Sequence, residues 1–335
     1  MKISASIYSN KNGTVVDTVK ELEKNHVELL HVDCNDDLSV FDDIKDIREI
    51  SQLPIDLHII TKNPSKYFDL LRENPVEYVT FQFEDSEEDL DIPSDIPGKM
   101  GLGIITPTDI EVFESHADRF DFILVMATIP GQSGGVFDKI NFKKIRDFKK
   151  KYPAKPVHVD GGVNGEISFI LRNMGVYASV SGSYLFKADS ISQALLNLKL
   201  REIESSFHLK DFMIEINECP TVSTSELSLE AILKTIENGK LGFCLVTNEQ
   251  GKFEGLVSNA DIRKGLLKHL DNLNELVIDE VINRSPVIAN EDFTVVELLK
   301  HIKKQPFPIM YLPVVNSNNQ ATGIITFVNL IKGEL

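Results

Sequence analysis

Cysteine is scarce in this chain of 335 residues: Cys34, Cys219 and Cys244 are too few and too scattered for a disulfide framework, which reads as a reducing compartment. Basic residues are in deficit too. Lys and Arg total 35 against 51 Asp and Glu, so the formal charge is −16 and the isoelectric point near 5.0. That balance excludes nucleic acid as a partner, because its phosphates need a basic face. A small anionic substrate stays open, since backbone N–H groups alone can hold a phosphate. No apolar run approaches about 18 residues, and the chain starts on a strand-like stretch, Met1–Tyr8, instead of a charged leader with an apolar core. These absences point to a soluble, cytoplasmic protein with no membrane partner.

What is present is enough apolar sequence for one large and one smaller domain. Up to about residue 200, short apolar runs alternate with amphipathic stretches. Strands are expected at Ile3–Tyr8, Leu29–Cys34, Ile55–Ile60, Tyr78–Phe83, Gly101–Ile105, Phe122–Thr128, Pro156–Asp160 and Ala178–Ser183. Helical patterns such as Thr14–Asn25, Asn63–Glu73 and Asn141–Lys151 separate them. Eight strand-plus-helix units in this length suit an α/β fold, a compact (β/α)8 TIM barrel over 1–200, better than an open doubly wound sheet. A polar linker is read at 201–212. Beyond it a pattern of Pro, strand, helix, strand, Asn/Gly turn, Gly-led strand and helix occurs twice, in copies at about 213–272 and 273–335. Two copies indicate a pseudo-symmetric α+β pair, since a solenoid needs at least three.

The polar residues at the strand ends carry the chemistry. "LLHVDCND" sets His31 and Asp33 two apart, on one face of a strand. "PIDLHII" adds His58 and "PVHVDGG" adds Asp160. Barrel catalytic groups come from the carboxyl ends of several strands, so these four can converge into a site for Zn²⁺, Mn²⁺ or Fe²⁺. Taken singly, each has a bland reading, as a core histidine or a helix cap. His158, also inward by parity, reads as a deeper structural residue. Glycine-rich turns follow three strands, "PGQSGG" (Pro130–Gly135), "DGGVN" and "SGSYLF", and suggest a small phosphorylated substrate.

Together "SASIYS", "HVDCND", "DLHII", "GLGIITPT", "DFILVMATIPGQSGG", "VDGGVN" and "SGSYLF" resemble, in order, the motifs of the ribulose-phosphate 3-epimerase family. The resemblance implies a ribulose-phosphate-binding barrel in which His31, Asp33, His58 and Asp160 bind one divalent metal (Zn, Fe, Mn or Co). Asp33 and Asp160 would also be the acid/base pair that epimerises carbon 3 of a ketose phosphate through an enediolate. Ser6 and Met126 would face the substrate, while Gly131, Ser133, Gly134, Gly161, Gly162, Gly182 and Ser183 would surround its phosphate. Departures stand at Asn35 and Ile60, where the family has methionine, at Gln82, where it has histidine, and in "PGQSGG". They fit a different sugar, a hexulose or heptulose phosphate, as the alternative substrate. A barrel without turnover that senses a ligand is the alternative from another class.

The C-terminal repeat resembles a tandem CBS-domain pair (a Bateman module) through "GLVSNADIRKGL" and "GIITFVNLIKG". That resemblance implies an adenine nucleotide at Ser258 and Asp261 of the first copy. In the second copy Thr326 is kept and Asn329 replaces the aspartate. Both resemblances imply a homo-oligomer.

Overall fold

A computed structural model describes residues 1–131, 134–199 and 207–327, which fall into two compact units on either side of residues 200–206. In the first unit eight parallel strands close into a barrel in chain order: β1 Lys2–Ser6, β2 Leu29–Asn35, β3 Ile55–Ile60, β4 Tyr78–Gln82, β5 Lys99–Ile105, β6 Phe122–Met126, β7 Val157–Asp160 and β8 Ala178–Ser181. β8 returns to β1 with Lys2 opposite Ala178. Every apolar run read as a strand in this unit is one.

Two-residue alternation divides each strand between faces. Ile3 and Ala5, Leu30 and Val32, Leu57 and Ile59, and Val157 and Val159 share one parity and are buried. Ser4, His31, Asp56, His58 and His158 share the other, and Ser4 Oγ–H donates across the lumen to Asp56 Oδ2. Helices cover the outer face with apolar stripes. Val15–Lys24, started by Thr14 Oγ1 accepting from the Asp17 N–H, buries Val19 and Leu22; Val40–Ile50 buries Phe41, Ile44 and Ile47. Each such side chain contributes about 1.5–3 kcal/mol. On β5 the inward positions are Gly101 and Gly103. A Cβ on Gly101 would lie 2.3 Å from the Phe122 ring, and one on Gly103 would lie 2.8 Å from Gln82 Oε1. Those glycines make room for a ring and an amide.

Not all eight units carry an α-helix. Among the described residues a 3-10 helix, Ile110–His116, follows β5, and residues 83–98 after β4 hold no helix at all. "EDSEEDLDIPSDIPG" explains the second case. Pro93 and Pro97 interrupt it, and Leu90 and Ile96, six apart, give no helical stripe.

The second unit contains two sheets. One has β10 Thr221–Ser223, β11 Phe243–Thr247 and β12 Phe253–Ser258; the other has β13 Ala289–Asn290, β14 Tyr311–Val315 and β15 Ala321–Thr326, extended by β9 Ile214–Glu215. The repeat holds to the level of single atoms. In the β11–β12 hairpin Asn248 Oδ1 accepts from the N–H groups of Gln250 and Lys252; in β14–β15 Asn316 Oδ1 accepts from those of Asn318 and Gln320. The left-handed turn position is Gly251 in one and Asn319 in the other.

In the second unit two boundaries differ from the sequence expectation. Ile214–Glu215, read as the start of the first copy, pairs antiparallel with β15 and so completes the sheet of the second. Within the segment read as linker, Leu209–Phe212 is a helix with Leu209 and Phe212 buried, and the Leu209 N–H donates to Phe293 O. Residues 201–206 of that segment lie outside the described residues.

Candidate active site and metal centre

β2 carries His31 and Asp33, β3 carries His58 directly opposite Asp33, and β7 ends on Asp160. One ligand atom from each of the four lies within 4.8 Å of the others. His31 Nε2 is 3.2 Å from Asp33 Oδ1 and 3.7 Å from Asp160 Oδ2, and His58 Nδ1 is 3.5 Å from Asp33 Oδ1. The imidazoles are fully buried, while the carboxylates keep 17% of their side-chain surface open.

Each imidazole is oriented from behind. His31 Nδ1 stands 3.0 Å from Asp56 Oδ2, and His58 Nε2 stands 2.9 Å from Gln82 Oε1. Gln82 is itself oriented, because its Nε2 donates at 2.5 Å to Glu84 Oε2 and a carboxylate only accepts. Both partners are therefore acceptors, which puts a ring N–H at His31 Nδ1 and His58 Nε2. His31 Nε2 and His58 Nδ1 then face the two carboxylates. His58 Nδ1 is a buried polar atom without a hydrogen-bond partner among the described residues. Two imidazole nitrogens and two carboxylates, with acceptors fixing both rings, fit a divalent first-row metal.

Charge is distributed unevenly. Burial works against an ionised Asp33, but the charge of His31 and its hydrogen bond to Asp33 hold the carboxyl well below the usual carboxylate range. Burial pushes Asp160 up to about 6; His31 pulls it down and the Asp33 charge pushes it further up. Burial also disfavours charge on His31, yet Asp33 and Asp56 outweigh it and carry the ring well above its ordinary pKa.

A cavity of about 930 Å³ opens above the cluster, lined by Asp33 and Asp160 together with Ser6, Gly131, Gly134, Gly161, Gly162, Gly182 and Ser183. Ser6, opposite His31 in register, has its Oγ 3.1 Å from Ser9 Oγ. Met126 pairs with Asp160 in register and is buried behind the lining. Ser133 lies outside the described residues. The glycines have reasons of their own. At Gly161 and Gly162, φ is +109° and +66°, and a Cβ would fall 2.2 Å from Thr128 Oγ1 and 2.3 Å from the Phe137 N. Likewise a Cβ on Gly131 would meet Asn35 Oδ1 at 2.4 Å, and one on Gly182 would meet Ser9 Oγ at 2.2 Å. These four glycines let neighbouring loops touch.

In the second unit Ser258 and Asp261 form a capping box at the start of the helix Asn259–Lys268. Asp261 Oδ2 accepts from Ser258 Oγ–H at 2.5 Å and from the Ser258 N–H at 3.0 Å. The aspartate expected at a ribose thus already closes a helix terminus. Thr326 ends β15 opposite Tyr311, and Asn329 lies outside the described residues. Reading the sequence missed Asp56 and Glu84, and it named Gln82 only as a departure from the family pattern. Asp56 carried a signal, since its i, i+2 spacing to His58 puts both inside the barrel.

The model for the ribulose-phosphate 3-epimerase family matches residues 2–186, more than half of the chain. The chain belongs to that family. Its barrel is accordingly of the isomerase class. The ribulose-phosphate 3-epimerase of Methanocaldococcus jannaschii is 29% identical over 227 residues, covering 64% of this chain and 95% of the relative. The enzyme of that name from Bacillus subtilis is 22% identical over 213 residues, covering 59% and 98%. CBS-domain models match residues 209–268 and 278–334, so an epimerase-family barrel is joined to a CBS pair. Among solved structures, a CBS domain-containing protein from Bacillus anthracis is 21% identical, covers 38% of this chain and 92% of its own, and has a TM-score of 0.33. Among the described residues no helix is long and apolar enough to cross a membrane.

Proposed function

We propose that the barrel epimerises carbon 3 of a ketose phosphate, in the manner of D-ribulose 5-phosphate to D-xylulose 5-phosphate, with Asp33 and Asp160 as the acid/base pair. The observation that carries this reading is geometric: His31, Asp33, His58 and Asp160 converge from β2, β3 and β7, and both carboxylates line the cavity. Two carboxyl groups in one site with separated proton affinities suit two-faced proton transfer. Asp33 takes the carbon-3 proton from one face of the substrate and Asp160 returns one to the other. In the reverse direction the roles exchange. A divalent cation held by His31, Asp33, His58 and Asp160 would supply positive charge to the enediolate oxygens and help set the carboxyl proton affinities. Asp56 and Gln82 hold the imidazoles, and Ser6 offers its hydroxyl to the sugar.

A hexulose or heptulose phosphate is the second reading. Support comes from the cavity of about 930 Å³ and from Asn35, where the family's methionine is replaced by a polar side chain. Proton NMR in D₂O with the metal-loaded protein and a panel of pentulose, hexulose and heptulose phosphates tests both. Loss of the carbon-3 proton signal with one sugar, absent in Asp160→Asn, names the substrate; no exchange with any of them, despite bound metal, removes the epimerase reading.

For the CBS pair we propose an adenine nucleotide at the first copy, where Ser258 and Asp261 stand at the junction of β12 and the following helix. Binding would open the capping box. Calorimetric titration with AMP and ATP checks it, and no heat with either ends the proposal.

A further inference from the structure

We infer that Lys187 binds the substrate's phosphate, supplying a full positive charge opposite the Gly134 backbone; this rests on the ketose-phosphate reading above. Gly134 differs from the neighbouring glycines in its surroundings. Gly131, Gly161, Gly162 and Gly182 are each pressed against another loop, so a Cβ there would collide at 2.2–2.4 Å. Gly134 also has a positive φ, +93°, but a Cβ on it meets nothing closer than 4.0 Å. Two atoms stand at that distance, Lys187 Nζ and Ser183 Oγ. The backbone after β6 thus faces the Lys187 ammonium and the Ser183 hydroxyl without pressing on either. Both side chains and Gly134 line the same cavity as Asp33 and Asp160.

Charge makes the placement telling. In a chain of net charge −16, lysines find carboxylates easily: Lys62, Lys151, Lys199 and Lys210 each hold one at 2.5–2.8 Å. Lys187 holds none within 4.0 Å among the described residues, although Asp189 lines the same cavity. A phosphate monoester carries about −1.5 to −2 at neutral pH and would share this cavity with Asp33 and Asp160. Backbone N–H groups can hold a phosphate, and an ammonium beside a hydroxyl adds charge-assisted hydrogen bonding to them. The Lys187 N–H donates to Ser183 O at 3.0 Å, tying the lysine backbone to the turn that presents the hydroxyl.

The test is a titration of the metal-loaded full chain with inorganic phosphate, followed by ³¹P NMR, for wild type, Lys187→Gln, Lys187→Arg and the exposed charge control Lys20→Gln. Lys187→Gln is expected to weaken phosphate binding roughly 10- to 100-fold, the scale of one charge-assisted hydrogen bond. Lys187→Arg should stay within a few-fold of wild type, and Lys20→Gln should match it. With a sugar phosphate that turns over, Lys187→Gln should raise KM by a similar factor and leave kcat nearly unchanged. Wild-type affinity in Lys187→Gln, or no phosphate binding by wild type, overturns the assignment. Lys187-dependent phosphate binding without epimerisation of any sugar would leave Lys187 standing and bring down the epimerase reading instead. Epimerisation with an unmoved KM in Lys187→Gln does the opposite.

Discussion

Three imidazoles lie inside the barrel at two depths, and they differ in what surrounds their nitrogens. In the upper layer His31 and His58 each have one nitrogen tied to an oxygen acceptor and the other turned toward Asp33 or Asp160. In the lower layer His158 stacks on Phe122 at 4.1 Å between ring centroids and parallel to Tyr177 at 5.4 Å. Neither of its nitrogens has a hydrogen-bond partner among the described residues. Burial is nearly complete for all three, so burial does not decide which imidazole can take a metal. The acceptor behind the ring decides it: Asp56 and Gln82 aim two rings upward, and aromatic faces leave the third as packing.

The largest expected effect breaks the upper layer directly. Asp160→Asn removes both a ligand oxygen and the carboxyl held near a pKa of 6, and should lower kcat by roughly 10³-fold, the scale of a lost general acid or base. Stopped-flow or NMR exchange rates check it. A loss below tenfold would mean that the second proton comes from elsewhere.

The layering was partly legible beforehand. The apolar runs gave the strands because each has the length and β-branched content of a fully buried parallel strand. The i, i+2 spacing of His31 and Asp33 fixed their shared face. Asp56 stayed hidden because its partner His31 is 25 residues away, and the two meet only once β2 and β3 are in register. The contacts of the glycines were hidden for the same reason, since Thr128 and Phe137 approach Gly161 and Gly162 from another loop. β9, two residues long, has no pattern to read. The Ser258–Asp261 capping box was readable from its spacing, but the same four residues also fit a nucleotide motif.

A smaller effect sharpens the lower layer. Burial brings His158 down to about 4, the largest influence on it, with Asp56 opposing. For a base depressed in the fold, stability is complete above the unfolded value of about 6.5 and is lost as pH falls toward 4. The lost amount follows from about 1.4 kcal/mol per unit and comes to about 3 kcal/mol at the acid end. Urea denaturation at pH 7 and pH 4.5 should show this loss in wild type and a smaller one in His158→Phe. Equal losses in both would mean that another group carries the acid sensitivity.

Asp56→Asn tests the link that makes His31 a ligand. Its buried carboxylate accepts from His31 Nδ1–H and from Ser4 Oγ–H. An amide there can donate as well as accept, so the ring tautomer is no longer fixed. Metal affinity should fall about 10- to 100-fold, as for other acceptors behind ligand histidines, while phosphate binding at Lys187 should not change. Metal competition with a chromophoric chelator measures the first, and the ³¹P titration measures the second. A phosphate site that weakens together with the metal site would show general damage to the barrel.

The smallest effect is expected from His158→Phe at neutral pH, and it is the sharpest test of the distinction between layers. The ring is neutral there, both its nitrogens lack partners, and Phe122, Tyr177 and Tyr78 already surround it with aromatic surface. Replacing it with phenyl keeps the stack and removes two buried polar atoms, which balances the slightly larger ring; stability should move by no more than about 1 kcal/mol. kcat should stay within about twofold, because a side chain two residues below Asp160 on β7 shares its face but touches neither carboxylate nor ligand nitrogen. A loss of activity comparable to Asp160→Asn would mean that the lower layer conducts protons or holds the upper one in place, and the two depths would then have to be treated as a single site.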